Sequence, residues 1–178
     1  MTIDQILRIW LNFSNQIFIF PVLVMGYIWL GREKFSHALN LLMLSIICNS
    51  LLKVVFKVPL ADHLAQEGFA FPSGHMQSSM VLYGYLALNS KNLWYKFLTA
   101  ILLGGIGFCL RYFGYHDFFD IVGGILFGIF LLVAYNLIIA KYNQQYVLVR
   151  SLFIASLITI YIAIAHSISP HLIKAYLI

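Results

Sequence analysis

Charged residues are scarce in this sequence. Of its 178 residues, only 10% are Asp, Glu, Lys or Arg, whereas 62% are hydrophobic and the mean hydropathy is +0.90. So few charges cannot cover the surface of a soluble domain of ordinary proportions. The composition therefore excludes that class and predicts a protein that crosses a membrane several times.

Cysteine is equally scarce. The two cysteines, Cys48 and Cys109, lie inside apolar runs, which excludes a disulfide framework and favours buried, reduced thiols. The formal net charge is +5, but the basic residues stand at the ends of apolar runs and form no cluster. This distribution argues against a nucleic-acid-binding surface and is typical of membrane topology.

Six apolar runs are long enough to cross a bilayer, which requires about 17–25 residues. They lie near 14–31, 36–58, 73–89, 93–113, 118–140 and 147–168. Because lipid offers the backbone no hydrogen-bond partners, we expect these spans to be helices. Residues 1–13 alternate polar and apolar at helical spacing and predict a short interfacial helix. The predicted fold is all-α: a polytopic membrane protein with six transmembrane helices in one bundle, forming a single domain over residues 1–178.

Three asparagines fall within the predicted spans. A side-chain amide facing lipid would leave its hydrogen bonds unmade, which is costly in an apolar environment. We therefore expect Asn40, Asn49 and Asn136 to form hydrogen bonds between helices.

The distribution of Lys and Arg predicts the orientation. Six spans place both termini, the 59–72 loop and the 111–117 turn on one side of the membrane. Six basic residues lie on the side opposite the termini: Arg32, Lys34, Lys91, Lys96, Lys141 and Arg150. Five lie on the side of the termini: Arg8, Lys53, Lys57, Arg111 and Lys174. Three of the five, Lys53, Lys57 and Arg111, stand beside other polar groups, and without them the count is six against two. The termini and the 59–72 loop are therefore expected outside, on the periplasmic side of a bacterial inner membrane.

The segment Pro72-Ser73-Gly74-His75 begins the third predicted span. Ser73 is a good helix N-cap, and the free amides and positive dipole end of the helix favour a bound anion. Gly74 allows that anion to approach the backbone closely. A plain helix cap with an interfacial histidine is the alternative.

A second polar group joins the fourth and fifth predicted spans. Arg111 lies at the end of one span, His116 in the turn, and Asp120 four residues later. An aspartate at this spacing can accept a hydrogen bond from Nδ1 of the histidine and raise the nucleophilicity of Nε2. Alternatively, Arg111 snorkels and His116 pairs with Asp120 at the headgroup level.

Lys53 and Lys57 lie one turn apart on the second predicted span. Like charges at this spacing repel each other, and a phosphate bound between them would relieve the repulsion, although two snorkelling lysines are the alternative. A zinc site built from His63, His75, His116 and Asp120 is also conceivable. Its spacing matches no familiar ligand pattern, and the nearby cations disfavour a metal ion.

Together these residues resemble the type 2 phosphatidic-acid phosphatase family, the membrane relatives of vanadium haloperoxidases and bacterial acid phosphatases. The Pro-Ser-Gly-His motif of that family is intact at 72–75, as is the His-to-Asp spacing of its last motif at His116 and Asp120. Gly114, Gly123 and Gly124 also match. The resemblance covers roughly residues 36–130.

The resemblance implies a metal-independent hydrolase without a cofactor. His116 would be the nucleophile that forms a phosphohistidine, oriented by Asp120, and His75 the general acid. Phosphate oxygens would be bound by the remaining site residues: Lys53, Ser73, Gly74 and Arg111. The substrate would be a lipid phosphate or diphosphate drawn from the bilayer, such as undecaprenyl diphosphate, phosphatidylglycerol phosphate, phosphatidic acid or a lipid A phosphate.

Two departures from the family pattern concern arginines. Leu60 and Ala61 stand where the first motif has Arg-Pro, and Lys57 is a candidate replacement for that charge. Arg111 lies five residues before His116 instead of six, so Leu110 takes the family's Arg position and Arg111 is turned by about 100° around its helix. Two alternatives to hydrolysis remain open: phosphate transfer to another lipid at the same site, and non-catalytic binding or transport of a lipid phosphate.

Overall fold

The structure is a computed structural model that describes residues 2–60 and 68–141. This part of the chain forms six helices and no strand. The helices are α1 (Ile3–Asn12), α2 (Gln16–Trp29), α3 (Arg32–Phe56), α4 (Gly74–Leu88), α5 (Leu93–Tyr112) and α6 (Phe118–Lys141). The all-α prediction is thereby confirmed for the described residues. The predicted span at 147–168 and His63 lie outside them.

Among the described helices, three are long and apolar enough to cross a membrane: α3, α5 and α6, with 25, 20 and 24 residues. The pair α1 and α2 passes the same test as one broken span, bent by 51° at the break. By contrast, α4 has 15 residues, about 22 Å of helix at a rise of ~1.5 Å per residue, less than the ~30 Å of a hydrocarbon core. The structure thus supports a helical membrane protein, and the described residues do not confirm the exact six-span bundle.

Local chemistry sets the helix ends. The N-cap side chains of Asn15, Ser73 and Asn92 each accept a hydrogen bond from an amide in the first turn of their helices. At its other end, α3 stops at Lys57, which adopts a left-handed conformation with φ 51° two residues before Pro59. The predicted start of the third span at Ser73 therefore coincides with a real helix cap.

Helix α4 packs against α3, α5 and α6. Two glycines one turn apart on α6 allow its close approach. A Cβ atom at Gly124 would lie 2.7 Å from the Ser73 carbonyl oxygen, and one at Gly128 would lie 2.9 Å from Met80 Cβ. Small residues at this spacing let membrane helices pack backbone to backbone. The amide of Ser73 also donates to the carbonyl oxygen of Asp120 (3.0 Å), so the starts of α4 and α6 are tied together.

Buried polar side chains link α3 to α4. The Asn49 amide nitrogen donates to the carbonyl oxygen of Pro72 (3.1 Å) and to Gln77 Oε1 (3.0 Å). Gln77 Nε2 in turn donates to the carbonyl oxygen (3.1 Å) and Oγ (3.3 Å) of Ser45. Asn49 therefore bonds between helices, as expected, and fixes the loop that precedes α4.

The other two asparagines differ from each other. Asn40 Nδ2 donates to the hydroxyl of Tyr135 on α6 (3.0 Å), so it also bonds between helices. Asn136 Nδ2 instead donates to the carbonyl oxygen of Leu132 (2.8 Å), within its own helix. A side chain can satisfy its amide against the preceding turn, and for Asn136 the interhelical prediction was wrong.

Candidate active site

The turn between α5 and α6 carries His116. After α5 ends, Gly114 adopts a positive φ of 69°, and the amides of Tyr115 and His116 fold back to the carbonyl oxygen of Leu110 (3.0 and 3.4 Å). This is the usual way in which a glycine just past the helix end satisfies the last carbonyls. It directs the chain into α6 and sets His116 one turn before Asp120.

The Asp120 carboxylate holds His116. Asp120 Oδ2 accepts hydrogen bonds from the Asp117 amide (3.0 Å) and from His116 Nδ1 (3.4 Å). The two paired side chains are only 8–9% exposed. Because an ionised carboxylate can only accept, Nδ1 carries a proton, and in the neutral imidazole Nε2 then has a lone pair. At 3.4 Å, the hydrogen bond from His116 is longer than the usual range.

The start of α4 presents free backbone donors. Ser73 Oγ accepts from the Met76 amide (3.4 Å), and the Ser73 carbonyl accepts from Gln77 (3.0 Å). The first amides of a helix have no partner within it, so those of Gly74 and His75 are available to an anion. A Cβ atom at Gly74 would lie 3.0 Å from Asn49 Oδ1, so this position has little room for a side chain.

One pocket of about 660 Å³ brings the chemistry together. Lys53 from α3, His75 from α4 and His116 from the α5–α6 turn all line it. We call this cavity the site pocket. The rest of its wall is formed by Arg8, Leu11, Asn12, Ser14, Asn15, Leu60, Leu110 and Tyr115. Lys53 is buried at this wall, whereas His75 is exposed to the cavity that it lines.

A second cavity of about 440 Å³ adjoins the first. It shares Lys53, His75 and His116 with the site pocket and also reaches Gly74. We call it the side cavity. Part of its wall is apolar and comes from α2 and α3: Ile17, Ile19, Leu42 and Ile46. The polar centre is thus continuous with a space between two helices.

Lys57 and Arg111 lie away from these residues. Both belong to the described part of the chain, and neither lines the site pocket or the side cavity. Lys57 is exposed at the end of α3. Arg111 Nη1 pairs with Asp117 Oδ1 at 3.3 Å, with both side chains largely exposed. Such surface pairs contribute little to stability.

The register of α5 explains where Arg111 points. Leu110, one residue earlier, is buried and lines the site pocket. A step of one residue turns a helical side chain by about 100°. The missing residue between Arg111 and His116 therefore puts the leucine into the pocket and the arginine outside it.

Two features of the site were missed at the level of sequence. Arg8 lines the pocket from α1, and the break between α1 and α2 contributes Asn12, Ser14 and Asn15. An isolated amphipathic helix carries no signal of which helix it packs on. The buried pair Ser45 and Gln77 was also missed, although Ser45, Asn49 and Lys53 recur every fourth residue and so mark one polar face of α3.

Two comparisons relate the chain to known proteins. The family model of the PAP2 superfamily matches residues 34–144, more than half of the sequence. Among solved structures, the crystal structure of LpxE from Aquifex aeolicus matches with a TM-score of 0.67 and 22% sequence identity, over 78% of this chain and 86% of that one. At this identity the structural match shows the shared fold alone. No curated protein sequence matches the chain.

Proposed function

The chain belongs to the PAP2 superfamily, and from this premise we propose that it is an integral-membrane lipid phosphatase. Its substrate is a lipid phosphate or diphosphate, and its reaction passes through a phosphohistidine. The observation that carries the proposal is the site pocket, where His116, held by Asp120, lies with His75 and Lys53 around one cavity.

In the first step, Nε2 of His116 attacks phosphorus. A nitrogen–phosphorus bond forms and the bond to the lipid oxygen breaks. His75 donates its proton to that leaving oxygen, which departs as the lipid alcohol or lipid monophosphate. Asp120 stabilises the positive charge that develops on the imidazole.

In the second step, water replaces the histidine. His75, now neutral, accepts a proton from the water whose oxygen attacks phosphorus, and the nitrogen–phosphorus bond breaks. Inorganic phosphate leaves and both histidines return to their starting states. Throughout, Lys53 and the amides of Gly74 and His75 offset the charge on the phosphoryl oxygens. Ser73 contributes indirectly, because it caps the helix whose first amides bind these oxygens. Lys57 and Arg111 make no phosphate contact in this mechanism.

The side cavity favours a lipid over a soluble phosphate ester. Its apolar wall between α2 and α3 offers a place for the first carbons of an acyl or prenyl chain while the phosphate lies beside His116. The rest of the chain can then stay in the bilayer. By the charge count of the spans, we place the site at the periplasmic face of a bacterial inner membrane.

Phosphate release by detergent-purified protein tests the proposal. We suggest a panel of undecaprenyl diphosphate, phosphatidylglycerol phosphate, phosphatidic acid and lipid A, with a chelator present and no added metal. Chelator-resistant release that His116→Ala abolishes, in a variant that still elutes as a single folded species, is expected. Unchanged release by that variant would contradict the mechanism. Tight binding of a lipid without release of phosphate would favour a non-catalytic lipid-phosphate binder or transporter. Transfer of phosphate to an added acceptor lipid would favour a lipid phosphotransferase.

A further inference from the structure

The residues of the site pocket that fall within the family match carry too little positive charge to balance a bound phosphate. A phosphate monoester carries about −1.5 to −2 at pH 7. Within residues 34–144, Lys53 is the one Lys or Arg among the described residues that line the pocket. A single lysine, held at a buried wall, leaves much of the phosphate charge without a cationic partner.

Leucines occupy the two positions where arginines would be expected. Leu60 stands at the arginine position of the first family motif and Leu110 at that of the last, and both line the site pocket. An aliphatic side chain offers phosphate oxygens no hydrogen bond. The pocket therefore has no guanidinium group at either of these two positions.

Arg8 is the other strongly basic residue in the pocket wall. It comes from α1, which lies outside the family match. None of the described residues that line this pocket is acidic. A guanidinium here faces a cavity with a lysine and two histidines, an arrangement that favours a bound anion.

Contacts with α5 fix the position of α1. Trp10 Nε1 donates to the carbonyl oxygen of Leu102 (3.1 Å), and the indole packs over Gly105, where even a Cβ atom would collide with it. The Tyr112 hydroxyl donates to Asp4 Oδ1 (3.0 Å). The helix is thus attached to α5 on both sides of Arg8.

The Arg8 guanidinium itself rests on an aromatic ring. Its Cζ atom lies 4.8 Å from the centre of the Phe113 ring, three residues before His116. A cation–π contact at this distance restrains the guanidinium without using its N–H groups, which can then bind a phosphate in bidentate fashion.

We infer that Arg8 is a phosphate-binding residue of this site and supplies the guanidinium that positions 60 and 110 lack. This inference rests on the proposed function. It makes α1 one of the helices that form the phosphate-binding site. The chain would then bind the substrate phosphate between Lys53 from one side and Arg8 from the other. It also follows that a chain without α1 would keep His116, His75 and Asp120 but bind phosphate weakly.

Substitution of Arg8 tests this inference, with inorganic phosphate as the probe. In Arg8→Ala we expect the inhibition constant of inorganic phosphate to rise about 10- to 100-fold, since the charge-assisted contact of the guanidinium with the phosphate is lost. Arg8→Lys keeps the positive charge but not the bidentate guanidinium, so its inhibition constant should lie between those of wild type and Arg8→Ala. Arg32→Ala, an exposed arginine at the start of α3, is the matched control and should behave as wild type.

A purely structural role would give a different pattern. If Arg8 only anchored α1 on Phe113, then Phe113→Leu would impair phosphate binding as much as Arg8→Ala does, and added guanidinium ion would not restore it. We expect a smaller effect of Phe113→Leu and partial rescue of Arg8→Ala by guanidinium. Should Arg8→Ala fail to fold, Arg8→Gln, which keeps the length of the stem, replaces it.

Failure of this inference can be told apart from failure of the proposed function. Thermal stabilisation by inorganic phosphate needs no turnover, and we expect it in wild type and Arg32→Ala but not in Arg8→Ala. Hydrolysis by wild type together with equal phosphate binding by Arg8→Ala overturns the role of Arg8 alone. Absence of hydrolysis overturns the proposed function, while phosphate stabilisation that depends on Arg8 would still support the binding site. No stabilisation of wild type overturns the inference.

Discussion

Replacement of Gly124 by alanine would separate two helix ends that carry the site. The added Cβ would lie 2.7 Å from the carbonyl oxygen of Ser73 and 3.0 Å from Met76 Cβ, against at least 3.4 Å for an ordinary contact. The closest neighbour is backbone and cannot rotate away. Helix α6 must therefore move from α4 by roughly 0.7 Å.

That movement falls on the catalytic geometry. It stretches the 3.0 Å hydrogen bond from the Ser73 amide to the Asp120 carbonyl and displaces the His116–Asp120 pair relative to His75. Overpacking of this kind costs about 1–3 kcal/mol of stability. A misplacement approaching ~1 Å lowers a rate by up to about 100-fold, so we expect kcat to fall by about 10- to 100-fold.

Gly104→Ala on α5 provides the matched control. A Cβ atom at Gly104 would meet nothing within 4 Å, and alanine favours a helix by about 0.5–1 kcal/mol over glycine. Thermal unfolding in detergent and phosphate-release kinetics compare the two variants. Equal midpoints and equal kcat for Gly124→Ala and Gly104→Ala would refute the argument from close packing.

Two further predictions concern the histidines. Asp120→Asn removes the carboxylate that fixes the His116 tautomer. In phosphate-release assays, kcat of the folded variant should fall by about 10²–10⁴-fold. A loss below about threefold would contradict the orienting role of Asp120. Because His116 must attack unprotonated while His75 donates a proton, kcat/KM of the wild type should be bell-shaped against pH. A profile that only rises or only falls would contradict this division of roles.

Sequence patterns were sufficient where one segment contains its own signal. The cap at Ser73, the spacing of His116 and Asp120, and the interhelical bond of Asn49 all depend on residues close in the chain or on the cost of an unpaired amide in lipid. Membership of the superfamily followed from the same motifs.

The features that the sequence did not predict depend on packing between distant segments. From the sequence, the direction of Arg111 could be given only as a rotation about its helix axis. Its exposed ion pair with Asp117 is visible only in the structure. Arg8 gave no signal, because α1 docks on α5 through groups about a hundred residues away, the carbonyl oxygen of Leu102 and the hydroxyl of Tyr112.

The proposed mechanism requires that His116 becomes phosphorylated during turnover. The most direct measurement is to quench the enzyme with alkali while it hydrolyses a phosphate-labelled lipid from the panel, and to locate the label by peptide mass spectrometry. We expect one phosphoryl group on the peptide that contains His116, stable to alkali, lost in acid, and missing from His116→Ala. A label on any other residue, or active turnover with no labelled protein, would contradict it.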